Sequence, residues 1–290
     1  MKKIFLAFVC LLWLTTTYAQ KNNSLLWAIS GNGLKTPSYL FGTYHFAGRS
    51  LVDSLSETKK YFNLCKTVVG EVIVDSAALQ RVASAMMLTD GTTLSTLYTP
   101  EEFKLIGDYV KQISNMDIMG LNTLKPATLQ IMLMSFTVPK TFSDTNPPVD
   151  LYFQQEGKRL NYKVTALETL DEQIALVCGA PIAEQKKDLL ESVTKKDIQN
   201  KDANELFALY LKQDLDGVEK LVNAGLAKSS SPEMSDKMLK DRNLKWIIKI
   251  PEIIKEQPAF IAVGAAHLVG QYGLINQLRL KGYTVLPVKI

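Results

Sequence analysis

The sequence predicts an α/β fold with α+β features, and three observations carry that reading. Near the start, Leu25 to Ile29 and Ser38 to Tyr44 are β-rich runs on either side of Gly31-Asn-Gly33, Thr36 and Pro37, the pattern of a hairpin with a longer loop. At the end, a strand from Ala259 to Val263, a helix from Leu268 to Lys281, Gly282 as its cap and a strand from Tyr283 to Val288 make a βαβ unit. Such a unit predicts parallel pairing and a right-handed crossover. Between these ends lies a long helical middle.

The elements follow in order. The hairpin brings Trp27 alongside the strand that runs to His45. Ser54 to Leu64 has helical spacing. Thr67 to Val74 is nearly continuously apolar, as a strand covered on both faces would be, with Glu71 in its middle. Thr99-Pro-Glu-Glu102 is a capping box with proline at the first helical position, and Phe103, Ile106, Tyr109, Val110 and Ile113 fall on one face of the helix it starts. Leu121 to Phe136 reads as a helix broken around Pro126. Asn146-Pro-Pro148 interrupts the chain, and Asp150 then stands as the cap of a short helix through Gln155, with a ligand as the weaker alternative. Tyr162 to Glu168 returns to strand character. Asp171 to Cys178 and Ile182 to Ala227 are helical, and Ser229-Ser-Ser-Pro232 opens a long helix to about Ile250.

Composition bounds the class. With 290 residues, 47% hydrophobic and 21% charged, the chain has ample material for a core. Met1-Lys2-Lys3, the apolar run Ile4 to Leu14 and Thr17-Tyr-Ala19 form a secretory signal peptide with cleavage after Ala19. The run is shorter than the ~20 residues that span a bilayer, which disfavours an uncleaved anchor. The expected organisation is therefore a leader over 1–19 and one domain over 20–290, with a helical segment at about 76–157 inserted between core strands. The mature protein would be periplasmic or secreted, without stable membrane insertion.

Removing Lys2 and Lys3 takes the net charge from +4 to +2, and the remaining charges are dispersed. That is no electrostatic footprint for nucleic acid. Cys65 and Cys178 remain, either as one disulfide or as buried thiols; no Cys-x-x-Cys exists for a zinc ribbon.

The chain has only two histidines, and each stands three residues after a glycine at the carboxyl end of an apolar run: Gly42 to His45 and Gly264 to His267. At average glycine usage chance gives that coincidence only ~0.5% of the time, so a shared site is the working expectation. In α/β sheets ligands gather beyond the carboxyl ends of strands. Glu71, a carboxylate among Val68, Val69, Val72, Ile73 and Val74, must be paired, metal-bound or protonated. It is read either as a structural salt bridge or as a metal ligand or general base beside His45.

Arg242 lies within an apolar stripe of Met238, Leu239, Trp246 and Ile250, with Asn243 adjacent. An inward guanidinium calls for a carboxylate, a phosphate or a substrate oxyanion, and a salt bridge to Glu71 is among the alternatives. Glu168 either reaches the same edge or begins a turn. His45, Glu71 and His267 together supply two imidazoles and a carboxylate, a ligand number that leaves room for a water, though ligand type alone does not choose the metal.

These residues carry a resemblance. Leu26-Trp27, Ser38 to His45, Gly70-Glu71, Leu167-Glu168-Thr169 with Gln173, Arg242-Asn243, Gly264-Ala-Ala-His267, Gly270, Gly273 and Gly282-Tyr283 occur in the order of the TraB/GumN family, which the mature chain resembles throughout. Tyr44 departs from the aliphatic residue more usual there, a change of packing. The resemblance implies a mixed-sheet α/β core wrapped by helices, similar to erythromycin-esterase-like and ChaN-like proteins. It also implies an active-site cluster of His45, Glu71 and His267 with Arg242 and Asn243 beside it.

Because the Tiki branch of that family consists of metal-dependent proteases, the expected function is an exported hydrolase of peptides. It would use a divalent metal (manganese, cobalt or zinc) and a metal-activated water, with Glu71, Arg242, Asn243 and Glu168 in the catalytic set. Two alternatives stay open: a metal-free hydrolase of small esters, and a protein that binds a peptide or haem in the same cleft without turnover.

Overall fold

Six strands form one mixed sheet in the order β4-β3-β5-β2-β1-β6. They are β1 Leu26–Ser30, β2 Ser38–Thr43, β3 Thr67–Gly70, β4 Lys163–Ala166, β5 Ala259–Gly264 and β6 Thr284–Val288. The computed structural model describes residues 24–73, 76–228 and 232–290. The expected leader, the end of the expected strand at Val74 and the serines before Pro232 lie outside the described residues.

β1 and β2 make the expected antiparallel hairpin, with Trp27 opposite Leu40. Gly31, Asn32 and Gly33 all take positive φ in its loop, the conformation for which glycine and asparagine are suited. β2, β5, β3 and β4 then pair parallel in that spatial order. Their carboxyl ends therefore share one edge of the sheet.

The terminal βαβ unit is corrected in its pairing. β6 does not lie beside β5; it pairs antiparallel with β1, so β2 and β1 stand between the two strands that the helix Leu274–Leu280 connects. The hairpin claims the position next to β5 because β2 is buried along its whole length and needs neighbours on both sides. The helix itself is shorter than expected: residues 265–267 form a 3₁₀ turn, and the chain reaches Gly273 before helix begins.

Other boundaries shift for local reasons. β3 ends at Gly70, so Glu71 stands just beyond the strand rather than in its middle, and Ile73 is exposed. Pro126 does not break a helix; it starts one, at the first position of Pro126–Thr137, where its missing N–H costs nothing. Asp150 is not a cap: Pro148 holds that position, and Asp150 lies in the first turn of Val149–Arg159 with its carboxylate turned elsewhere. The expected single helix after Pro232 is two, Pro232–Met238 and Lys240–Glu256, the second running through Pro251.

The core sits against the sheet. Phe41 of β2 and Phe260 of β5 pack with Phe62 and Phe153 from the helices Ser56–Asn63 and Val149–Arg159, with ring centroids 4.7 to 6.0 Å apart. A second apolar cluster, separate from this one, joins the middle helices. The capped helix Pro100–Ser114 contributes Ile106, Tyr109 and Val110 as the sequence predicts, against Leu129, Leu133, Leu189 and Val193. Cys65 and Cys178 are both buried and free. No helix among the described residues is long and apolar enough to cross a membrane.

Helix Val149–Arg159 meets the sheet through Gly157, where a Cβ would stand 2.6 Å from Val68 Cγ2 and 3.3 Å from Val164 Cγ2. A branched side chain in a full core cannot give way freely. Gly157→Ala is expected to destabilise the protein by about 1–3 kcal/mol, read from urea denaturation; an unchanged midpoint would mean that the helix rides loosely on β3 and β4.

Candidate functional site

Each of the four parallel strands delivers one polar residue to the shared edge. Glu71 follows β3 directly, Glu168 comes two residues after β4, His45 two after β2 and His267 three after β5. The ladder between β3 and β4 continues past its last strand residues, since Leu167 N–H donates to Gly70 O and Glu168 N–H to Glu71 O, both at 3.0 Å. Thr43 lies opposite Gly264 in the β2–β5 register. The site is thus built on backbone that sheet pairing holds in place.

Gly264 is its centre. A methyl group placed there would stand 3.4 Å from Glu71 Oε1, 3.6 Å from His267 Cδ2 and 4.0 Å from His45 Nε2. Gly264 N–H also donates to Glu71 Oε1 at 2.8 Å. The three residues that the two glycine–histidine motifs and the intervening carboxylate predict are brought together.

Asn243 fixes the state of His267. Its Nδ2 donates to His267 O and Tyr272 O, at 3.1 and 2.9 Å, so the amide can face only one way. Asn243 Oδ1 must then accept from His267 Nδ1–H, at 2.7 Å. This leaves a lone pair on Nε2, the neutral tautomer a metal ligand needs. Burial favours the same form: with Arg242 assisting, it drives His267 down to about 3, against the pull of Glu71. Trp246, fully buried, packs on the ring at 4.4 Å between centroids.

His45 is the exposed member, with 65% of its side chain accessible. Its Nδ1–H donates to Asp150 Oδ2 at 3.1 Å, and Asp150 Oδ1 accepts from Thr43 Oγ1–H. Asp150 is the residue for which the sequence favoured a helix cap over a ligand, and it proves to be neither cap nor free side chain but the partner of His45. Its carboxylate raises His45 to about 9; burial and Arg242 oppose it, Glu71 helps, and water at the exposed ring screens part of the attraction. Raised above its unfolded value, this group adds stability that is complete below about pH 6.5 and is lost as pH rises through about 9.

Glu71 is buried, its side chain 9% accessible, yet ionised. Burial works to raise it, but neighbouring charges and the Gly264 N–H outweigh that and hold it near 2. His267 is neutral above about pH 3, so at neutral pH the counter-charges are His45 and Arg242. Glu71 Oε2 accepts from Arg242 Nη2 at 2.5 Å and from Gln173 Nε2 at 3.2 Å.

Arg242 binds Glu168 as well, through Nη2 at 2.5 Å and through Nε at 3.1 Å, and stacks on Trp246 at 4.6 Å. Its Nη1 donates to His267 Nε2 at 3.0 Å and to Met238 O at 3.3 Å. Glu168 also accepts from Gln173 Nε2 and Trp246 Nε1. Arg242, Asn243 and Glu168 thus stand beside His45, Glu71 and His267, with Asp150, Thr43, Gln173 and Trp246 around them.

Two imidazoles and a carboxylate make a donor set that fits a divalent cation. However, among the described residues no group of three His, Cys, Asp or Glu stands ready to hold an ion. Arg242 is instead hydrogen-bonded to Glu71 Oε2 and to His267 Nε2.

The model of the TraB/PrgY/gumN family matches residues 25–287. The chain is 23% identical to the metalloprotease TIKI2 of Danio rerio over 91% of its own length and 60% of that protein's. It is also 23% identical to the human metalloprotease TIKI1, over 91% of the chain and 61% of that protein. The chain thus spans about 60% of the length of the curated relatives it matches. No solved structure matches it.

The Asp150 contact generates a prediction. In Asp150→Asn the His45 pKa, followed by NMR titration, is expected to fall from about 9 towards 6.5 while His267 stays low. An unshifted His45 would show that Asp150 does not hold the ring.

Proposed function

Because the chain belongs to the TraB/PrgY/gumN family, we propose that it is an exported metal-dependent hydrolase that cleaves peptides. One observation carries this reading: His45, Glu71 and His267 converge around Gly264, a residue with no side chain to fill the space between them. The curated relatives are named metalloproteases, and the leader read from the first nineteen residues is the basis for export.

In this reading His45 Nε2, Glu71 and His267 Nε2 hold the metal. The ion would polarise the scissile carbonyl and lower the pKa of a water. Asp150 and Asn243 orient the two imidazoles through their Nδ1 atoms, the outer partners that metal-binding histidines require. Arg242 keeps Glu71 ionised and in place, and Glu168 holds Arg242. Glu71 also serves as the proton acceptor when it is not a ligand. Since His45 must lose its proton before it can bind metal, loading strengthens as pH rises from 7 towards 9.

A second reading has its own support. His45 is exposed, with a carboxylate behind Nδ1 and, among the described residues, no hydrogen-bond partner at Nε2, which is the arrangement of a general base once the ring has lost its proton as pH rises towards 9. A metal-free hydrolase of small esters would use this pair alone and stay fully active in EDTA.

Metal content decides between them. After loading with manganese, cobalt or zinc, the wild type is expected to hold one equivalent and lose peptide hydrolysis on chelation. His45→Ala and His267→Ala should each abolish binding while remaining folded. Gly264→Ala meets only ordinary contact distances, so it should fold normally yet reduce hydrolysis by about 100-fold through the methyl at the centre. A wild type without metal in any preparation contradicts the metalloprotease reading.

A further inference from the structure

We infer that Tyr44, Phe46 and Phe142 determine specificity at this site, by receiving a large apolar side chain, aromatic by preference, next to the bond that is cut. The inference rests on the reading of the protein as a hydrolase of peptides and gives that reading a substrate class. It is independent of how the attacking water is activated.

His45 stands between two aromatic residues. Tyr44 and Phe46 lie on either side of it in sequence, and Ala47 N–H donates to Tyr44 O at 2.8 Å in a tight turn. The turn carries the Tyr44 and Phe46 rings together, with 5.7 Å between centroids. Phe142 packs on Phe46 at 6.2 Å, and Phe207 packs on Tyr44 at 5.5 Å. These four rings are half-buried. Behind them Tyr210, 5.4 Å from Tyr44, is fully buried, with its hydroxyl donating to Gly42 O at 3.0 Å. The rings therefore form a shelf with a buried back and an accessible front, beside the exposed histidine.

Core packing does not account for the shelf. Among the described residues, Phe46, Phe142 and Phe207 belong neither to the apolar core at the sheet nor to the cluster of the middle helices. Burying such rings in a core would stabilise the fold, and an apolar patch left accessible marks a place where something binds. Position says what binds. A peptide whose reacting carbonyl comes to His45 carries its neighbouring side chain over Tyr44 and Phe46. The shelf offers that side chain rings, since the one hydroxyl on it, that of Tyr44, donates to Pro139 O at 3.5 Å. Ring spacings of 5.5 to 6.2 Å are those at which aromatic groups attract, so an aromatic guest extends the cluster. At the rim Lys140 Nζ lies over Phe136 and Phe142, at 5.6 and 5.8 Å, a cation that works against a lysine or arginine there.

The shelf is built before a substrate arrives. Thr141 N–H donates to Phe46 O, Gly48 N–H to Thr141 Oγ1 and Val149 N–H to Ala47 O, each at 2.9 Å. Asn146 closes the same loop: its Oδ1 accepts from Ser50 N–H at 2.8 Å and its Nδ2 donates to Ser50 Oγ at 3.0 Å. The segment after His45 and the loop that carries Phe142 are thus one unit, and little freedom is lost on binding. That loop leads directly into the helix whose Asp150 holds His45, so one stretch of chain places both.

The test titrates the full chain with N-acetyl-phenylalaninamide and with N-acetyl-alaninamide, followed by NMR. The phenylalanine probe is expected to bind at least about ten-fold more tightly and to shift the His45, Phe46 and Phe142 ring resonances together. Phe142→Ala should bring the two probes to within about two-fold of each other. Equal binding in the wild type, or shifts confined to other parts of the protein, overturns the inference and leaves the hydrolase reading intact. Ring shifts that follow protein concentration instead of probe also overturn it, and make the shelf a contact between copies of the chain. Should Phe142→Ala fail to fold, nuclear Overhauser contacts in the wild type decide: the probe's ring must reach Phe46 or Phe142, and absence of such contacts refutes the inference. Cleavage is read separately, on peptides that differ only in carrying phenylalanine or alanine at one position. A preference for phenylalanine of about ten-fold in kcat/KM supports the assignment, and equal kcat/KM overturns it. A bound phenylalanine probe without cleavage of any peptide or ester overturns the hydrolase reading, and with it the shelf's part in substrate choice.

Discussion

A carboxylate buried at the end of a β-strand must be answered by charge, and the site is arranged around that requirement at Glu71. Burial alone would neutralise it. Instead Arg242, Gln173 and the Gly264 N–H hold it ionised, and each comes from a different element. Glu168 shares Arg242, and the indole of Trp246 serves Glu168, Arg242 and His267 at once. Such a network is costly if any member is missing and rigid when all are present. Rigidity is what a hydrolytic site needs, because a misplaced ligand or base costs far more than its own contact energy.

The sheet makes the network possible. Parallel strands bring residues far apart in sequence to one edge, and β2, β5, β3 and β4 are neighbours although β2 and β5 come from opposite ends of the chain. The helical middle between β3 and β4 builds its own apolar cluster. From the same stretch, helix Val149–Arg159 returns to the sheet and brings Asp150 to His45. One long excursion therefore ends by orienting the more exposed of the two histidines.

Much of this was legible in the residues. The two glycine–histidine motifs marked strand ends, and Gly264 lies among His45, Glu71 and His267 in the fold. Glu71 and Arg242 stood out as charges in apolar surroundings, and the salt bridge between them, one of the alternatives the sequence left open, is present. Local patterns with a single meaning, such as the Thr99 capping box and the hairpin, also held.

What was illegible depended on tertiary competition. A βαβ pattern gives strand direction but not which strand lies between, and here the hairpin takes the central place. Pro126 fits both a break and a first turn, and the sequence does not choose. Asp150 fits a helix cap so well that its contact with His45 could be found only once β2 and helix Val149–Arg159 were placed together. The central claim, that Glu71 and Arg242 form one energetic unit at the heart of the site, is tested most directly by a double-mutant cycle. Glu71→Gln and Arg242→Met, alone and combined, would be followed by chemical denaturation. Arg242→Met should cost about 3–5 kcal/mol by stranding two buried carboxylates, Glu71→Gln should cost less because Glu168 still pairs with the guanidinium, and the two together should cost less than their sum by more than ~0.5 kcal/mol. Simple additivity would contradict the account.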